Sequence, residues 1–89
     1  MNLNEVKNEL LKGHLVTMAV NPGRFCPAGY THQILLHSYD GKGNVFVEDP
    51  LNPSNRIWYP LSKLFEQKST AKGDRLYPND PLSVFFVLQ

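Results

Sequence analysis

The chain has 89 residues, of which 42% are hydrophobic and 19% are charged. This length suffices for one domain near the lower limit that a single hydrophobic core stabilises. Nine Lys and Arg against eight Asp and Glu leave a formal net charge of +1. Because this balance provides no basic surface for nucleic acid or an anionic membrane, we expect neither as a partner.

The cysteine and histidine content argues against a fold that depends on disulfides or on a bound metal. The single cysteine, Cys26, excludes an internal disulfide. The three histidines, His14, His32 and His37, lack the clustered spacing with Cys, Asp or Glu that a zinc site requires. The sequence therefore predicts neither a metal site nor a bound cofactor.

The start of the chain does not read as a targeting segment. Asn and Glu interrupt each apolar run of residues 1–11, so a signal-peptide core is absent there. No apolar stretch of the sequence approaches transmembrane length. We expect a cytoplasmic protein if the sequence is a complete gene product, whereas its compartment is unknown if it is a fragment of a longer chain.

The first two predicted elements are a helix and a strand. Leu3, Val6 and Leu10 recur at spacings of three and four residues, which predicts an amphipathic helix. Gly13 is suited to end this helix, because glycine readily adopts the left-handed conformation of a C-cap. The apolar run that follows predicts a strand over 14–20 that is buried on both faces.

The rest of the chain predicts further strands and one short helix. Expected are hairpin strands over 31–39 and 44–48, a strand over 56–59, a helix over 62–67 capped by Ser62, a polar loop over 68–74 and a strand over 83–88. Together they predict an α+β fold: an antiparallel sheet of four to five strands with an N-terminal helix and a short helix near 62–67.

The hairpin is expected to bring a histidine close to an aspartate. Its turn, residues 40–43, fits a loop of two or of four residues. Both loops give one register, in which the opposed pairs include Tyr39 with Asn44, Ile34 with Asp49, and His32 with Leu51. His32 and Asp49 then share a face as diagonal neighbours, with backbones about 7 to 8 Å apart. A three-residue loop would place them on opposite faces.

A histidine held by an aspartate has a defined chemical use. The carboxylate orients the ring, fixes one tautomer and makes the imidazole a better base, as a thiol or hydroxyl nucleophile requires. The alternative is that His32 is an exposed residue at a strand end and that Asp49-Pro50 only ends a strand. The residues alone leave both interpretations open.

The motifs "HQILLHSYDGKGNVFVEDP" and "WYPLSKLF" resemble the second half of C39-like peptidase domains, which belong to the papain-like cysteine peptidases. The matching block runs from about Leu11 to Phe65. The resemblance implies one C39-like domain over 1–89, similar to the sheet lobe of a papain-like fold, acting on a peptide or protein substrate. It implies that His32 is the catalytic base and Asp49 its orienting residue. Thr31 departs from the glycine that usually precedes the family's histidine.

A larger departure concerns the nucleophile. The family carries its catalytic cysteine at the start of a helix well upstream of the histidine, after an oxyanion-stabilising glutamine, and the 89 residues contain no such segment. Cys26 lies in a loop punctuated by Pro and Gly, six residues before His32, where contact between them is sterically possible. Arg24 is a cationic neighbour that could lower the pKa of its thiol. Cys26 therefore remains a candidate nucleophile.

Other polar and aromatic residues are assigned structural roles. His37 alternates away from His32 along the strand and is expected at the sheet surface or the edge of the core. Gln33 is turned away from His32 in the same way, which excludes it as an oxyanion donor. Trp58 and Tyr59 are expected in the core rather than in a substrate-binding wall.

Two functional hypotheses follow. In the first, the chain is a C39-like cysteine peptidase or amidase domain whose nucleophile is Cys26, or is missing and supplied by a second chain or an upstream segment. In the second, it is a non-catalytic remnant of that fold that binds protein or forms a homo-oligomer. Loss of the helical lobe would leave apolar surface for a partner to cover.

Overall fold

The computed structural model describes residues 1–29 and 32–88. Thr31, expected to begin the first hairpin strand, lies outside them. The helices are α1 (Leu3–Leu11) and α2 (Leu61–Glu66), and the strands are β1 (Leu15–Val20), β2 (His32–Tyr39), β3 (Asn44–Glu48), β4 (Ile57–Pro60) and β5 (Phe85–Leu88). The predicted α+β class is confirmed, with five strands.

The strands form one antiparallel sheet in the order β4-β3-β2-β1-β5. β1 pairs with β2 on one side and with β5 on the other. Its inward residues Val16, Met18 and Val20 are buried, whereas Leu15 on the outer face is exposed, so the burial expected on both faces is wrong at Leu15. The helices supply buried side chains to the core: Val6 and Leu10 from α1, and Leu61 and Leu64 from α2. These pack with the inward side chains of the strands, so the core lies between the helices and one face of the sheet.

Helix α1 has well-defined ends. The Asn2 side chain accepts a hydrogen bond from the Glu5 N–H, and the Glu5 carboxylate accepts one from the Asn2 N–H, which completes a capping box. After the helix, Gly13 adopts φ +82°, a conformation that residues with a Cβ rarely take. The helix therefore ends just before Gly13, as the sequence predicts.

The register predicted for the hairpin is wrong next to the turn. Tyr39 lies opposite Val45 rather than Asn44. The Asp40 N–H donates to the Asn44 carbonyl oxygen at 3.0 Å, so three residues, 41–43, form the closed loop. The Asp40 carboxylate stabilises it by accepting hydrogen bonds from the backbone N–H groups of Lys42 and Asn44. The loop therefore has three residues, the length that by itself would place His32 and Asp49 on opposite faces.

A β-bulge corrects the register farther along the hairpin. Ser38 faces Phe46, but Leu36 faces Val47, which leaves His37 as one extra residue in β2. Beyond the bulge, the pairs Leu36–Val47 and Leu35–Glu48 follow the predicted register. The three-residue loop and the bulge each shift the pairing by one residue, and the two shifts cancel before the strands reach the end that carries the candidate site.

Two smaller expectations also change. Ser62 does not cap α2: the N-cap is Pro60, which makes no side-chain cap hydrogen bond. The final strand is shorter than 83–88, because Pro81–Val84 forms a 3-10 helix that Asp80 caps through the Leu82 N–H. Within the described part of the chain, no helix has the length and hydropathy needed to cross a membrane.

Candidate active site

The structure brings His32 and Asp49 together. His32 is the first residue of β2, and Asp49 directly follows β3. Both are buried, with 8% and 4% of their surface exposed. His32 Nε2 and Asp49 Oδ1 form a short hydrogen bond. The predicted contact is therefore present, although the turn on which the prediction relied has a different length.

Three donors surround the Asp49 carboxylate. Besides His32, the Leu51 N–H donates to Oδ1 at 3.0 Å, and Asn55 Nδ2 donates to Oδ2 at 3.3 Å. Burial raises the pKa of Asp49, but the hydrogen bonds from His32, Asn55 and Leu51 outweigh it, so the pKa lies below its usual value. Asp49 is thus an ionised carboxylate at neutral pH.

This ionisation fixes the tautomer of His32. An ionised carboxylate only accepts hydrogen bonds, so the proton of the His32–Asp49 bond belongs to Nε2. In the neutral ring Nδ1 then carries the lone pair. Among the described residues, Nδ1 has no hydrogen-bond partner. The ring therefore has one nitrogen held by the protein and the other available as a base.

Asn55 is a site residue that the sequence did not reveal. It ends a 3-10 helix, Pro53–Asn55, whose start is capped by the Asn52 side chain accepting from the Ser54 N–H. This turn places the Asn55 amide, only 7% exposed, against Asp49. Its Oδ1 accepts a 2.5 Å hydrogen bond from Arg24 Nη1. Asn55 therefore links Arg24 to Asp49.

Cys26 lies in the loop that also carries Arg24. The Gly23 N–H donates to the Cys26 carbonyl oxygen at 2.7 Å, which closes the loop. Cys26 is 2% exposed. Burial raises the pKa of the Cys26 thiol, and the negative charge of Asp49 raises it further. Arg24 therefore does not produce the lowered thiol pKa that the sequence made conceivable.

One cavity joins these residues. It has a volume of about 520 Å³ and opens to solvent. Its lining includes every candidate from the sequence, Cys26, His32 and Asp49, together with Arg24 and Asn55. A small peptide segment could occupy a space of this size. Among the described residues, no three His, Cys, Asp or Glu side chains form a group that could hold a metal ion.

The residues given structural roles lie away from this cavity. His37 is half-buried on the outer face of the sheet, with Nε2 3.3 Å from a Glu48 carboxylate oxygen. Gln33 is exposed, as predicted. Tyr59 packs on the core, but the expectation for Trp58 is wrong: it projects from the outer face and is 52% exposed. Trp58 follows the alternation of β4, on which neighbouring residues face opposite sides.

Stability should depend on pH through Asp49. Its pKa is lowered from an ordinary value of 3.8 in the folded state, so its ionised form stabilises the fold above pH 3.8. That contribution is lost as the pH falls from 3.8 through the folded pKa. We expect urea unfolding to show wild type more stable than Asp49→Asn by about 1 to 3 kcal/mol near neutral pH, with the difference shrinking below about pH 4. A difference that is constant with pH would contradict this.

The pKa of Asp49 should depend on the hydrogen bond from the Asn55 amide. We expect Asn55→Ala to lower the free energy of unfolding by about 1 to 3 kcal/mol and to raise the pKa of Asp49, because Oδ2 loses its donor. Urea denaturation and carbon NMR of the Asp49 carboxyl during acid titration measure the two effects. Ser54→Ala, in the same turn but exposed, is the matched control and should leave the pKa of Asp49 unchanged.

Comparison with protein-family models, curated proteins and solved structures found no match to this chain. The C39-like resemblance therefore remains a prediction from the sequence motifs.

Proposed function

We propose that this chain is a cysteine peptidase or amidase-type domain of the C39-like, papain-like kind. In this proposal His32 is the general base and acid, Asp49 orients it, and Cys26 is the nucleophile available within the chain. The observation that carries the proposal is that Cys26, His32 and Asp49 line a single open cavity, with the histidine and the aspartate hydrogen-bonded to each other.

The hydrogen-bonding pattern supports a base rather than a structural histidine. A histidine buried only for packing needs one hydrogen-bond partner. Here that partner, the Asp49 carboxylate, also accepts hydrogen bonds from the Leu51 N–H and from Asn55 Nδ2. Asp49 is therefore fixed in position before it fixes the His32 ring. Such preorganisation keeps the Nδ1 lone pair in one direction and costs nothing at the moment of proton transfer.

The proposed reaction is acyl transfer at an amide bond. His32 Nδ1 takes the proton of the Cys26 thiol while the sulfur attacks the amide carbon. The carbon–nitrogen bond then breaks, and the leaving amine takes the proton from the imidazolium, which Asp49 has stabilised. Water, deprotonated by His32, hydrolyses the thioester and restores the thiol.

The resting state of Cys26 determines how the nucleophile is activated. Because burial and the charge of Asp49 raise the pKa of its thiol, Cys26 is protonated at neutral pH and is not a preformed thiolate. Attack therefore requires proton transfer to His32 in the same step. The nucleophile should depend on the histidine more strongly than an exposed low-pKa cysteine does.

Thiol labelling tests this dependence. We expect iodoacetamide to modify Cys26 at pH 7 at least about tenfold faster in wild type than in His32→Ala, because the variant has no base for the thiol proton. His37→Ala is the matched control: His37 is on the same strand but faces away from the cavity, so the rate should equal that of wild type. Mass spectrometry of the modified chain measures the rates.

Equal labelling rates in wild type and His32→Ala would exclude Cys26 as the nucleophile of this site. Peptidase chemistry would then require a thiol from a second chain or from another segment. It would also favour the second candidate function.

That second candidate is a non-catalytic module that binds protein or self-associates. Its supporting observation is the outer face of the sheet, which presents exposed Leu15, Trp58 and Leu88 with Phe46 packed edge-on against Trp58. Exposed apolar side chains gathered on one face are typical of interaction surfaces. This role would leave the cavity on the opposite side of the sheet without a use. The peptidase proposal is preferred because it accounts for that cavity.

A further inference from the structure

Arg24 is held in place at the cavity although it is an exposed residue. Its Nη1 donates to Asn55 Oδ1 at 2.5 Å, and its Cζ lies 5.0 Å from the centroid of the Phe25 ring. Both contacts are to buried residues. Long exposed arginines usually sample many rotamers, so a side chain fixed at two points has already lost much of the conformational freedom that ligand binding would cost.

The Arg24 guanidinium forms no direct ion pair with a described residue. No Asp or Glu among them forms an ion pair with its guanidinium. The nearest carboxylate along the hydrogen bonds is Asp49, which is occupied by His32, Leu51 and Asn55. Arg56, by contrast, is paired with Glu48 at 3.0 Å. Arg24 thus brings to the cavity a guanidinium that no described carboxylate contacts directly.

We propose that Arg24 binds a carboxylate of the ligand, so that the site takes peptides carrying an acidic side chain or a free C-terminus close to the reacting bond. This inference rests on the proposed function for the peptide nature of the ligand. The carboxylate preference itself rests only on the position, fixation and charge of Arg24.

The donor geometry fits a carboxylate. A guanidinium carries five N–H donors in a plane, and the bond to Asn55 uses one on Nη1. The edge formed by Nε and Nη2 makes no hydrogen bond to described residues and matches the two oxygens of a carboxylate. A lysine could supply the charge but not this paired edge, so arginine is the suited residue.

The position of Arg24 limits where the carboxylate lies in the ligand. Three successive hydrogen bonds connect Arg24 to Asn55, Asp49 and His32. Such a chain spans on the order of 10 Å, and an extended peptide covers about 3.5 Å per residue. The carboxylate is therefore expected within about three residues of the bond that faces His32.

A purely structural role for Arg24 makes a different prediction. If Arg24 served only to hold Asn55, its loss would alter Asp49 and His32 but would not distinguish a carboxylate ligand from its neutral amide. The ratio of the two affinities is therefore the informative measurement.

Four N-acetylated alanine-based tetrapeptides provide the probes: one with Glu and one with Gln at the third position, both amidated, and an all-alanine pair with a free or an amidated C-terminus. Titration of the intact chain followed by proton–nitrogen NMR gives the affinities whether or not a peptide is cleaved. We expect at least one carboxylate peptide to bind about tenfold more tightly than its amide partner, and the pair concerned identifies the source as a side chain or a C-terminus.

The variants complete the test. Arg24→Gln should reduce the ratio to near one, and Arg24→Lys should retain part of it. Arg56→Gln is the matched control and should keep the wild-type ratio, because Arg56 lies outside this cavity. Equal affinities within each pair in wild type, no binding of any peptide, or a ratio that survives Arg24→Gln would overturn the inference. A carboxylate preference that is present in wild type and lost in Arg24→Gln, together with a labelling rate of Cys26 that does not depend on His32, would refute only the proposed peptidase activity.

Discussion

The hydrogen bond between His32 and Asp49 is the contact on which the candidate site depends. It closes the end of the β2–β3 hairpin farthest from the turn, where His32 begins β2 and Asp49 directly follows β3. The loop that carries Arg24 and Cys26 and the short 3-10 helix that carries Asn55 both converge there. Because a shift of one residue would turn His32 or Asp49 to the other face, the register of a single strand pair decides whether the site exists.

The sequence predicted this contact through a hairpin whose details differ. The alternation of apolar residues and the Gly-rich turn identified both strands, and these features are local. The loop length and the His37 bulge were not identified. The loop depends on hydrogen bonds to the Asp40 carboxylate that the apolar pattern does not display, and the bulge appears only in the observed pairing of Ser38 with Phe46 and of Leu36 with Val47. His32 and Asp49 still lie on the same face of the sheet, because the three-residue loop and the bulge each shift the register by one residue and the two shifts cancel.

The supporting residues could not be predicted from spacing. Asn55 lies six residues after Asp49 and reaches it only because residues 53–55 form a 3-10 turn. Arg24 is remote in sequence from both, and its bond to Asn55 is a tertiary contact with no periodic signal. Likewise, the sequence offered Arg24 as a cationic neighbour that could lower the pKa of the Cys26 thiol, whereas packing buries the thiol and raises its pKa. Burial is a property of the whole fold rather than of a motif.

The position of one proton tests the central claim most directly. A long-range proton–nitrogen NMR spectrum of the His32 ring near neutral pH should show the neutral ring protonated on Nε2, with a downfield, slowly exchanging proton that disappears in Asp49→Ala. This result is expected because the ionised Asp49 accepts that proton from a buried ring. A neutral His32 ring protonated on Nδ1, or one whose spectrum is the same with and without Asp49, would contradict an oriented base at this site.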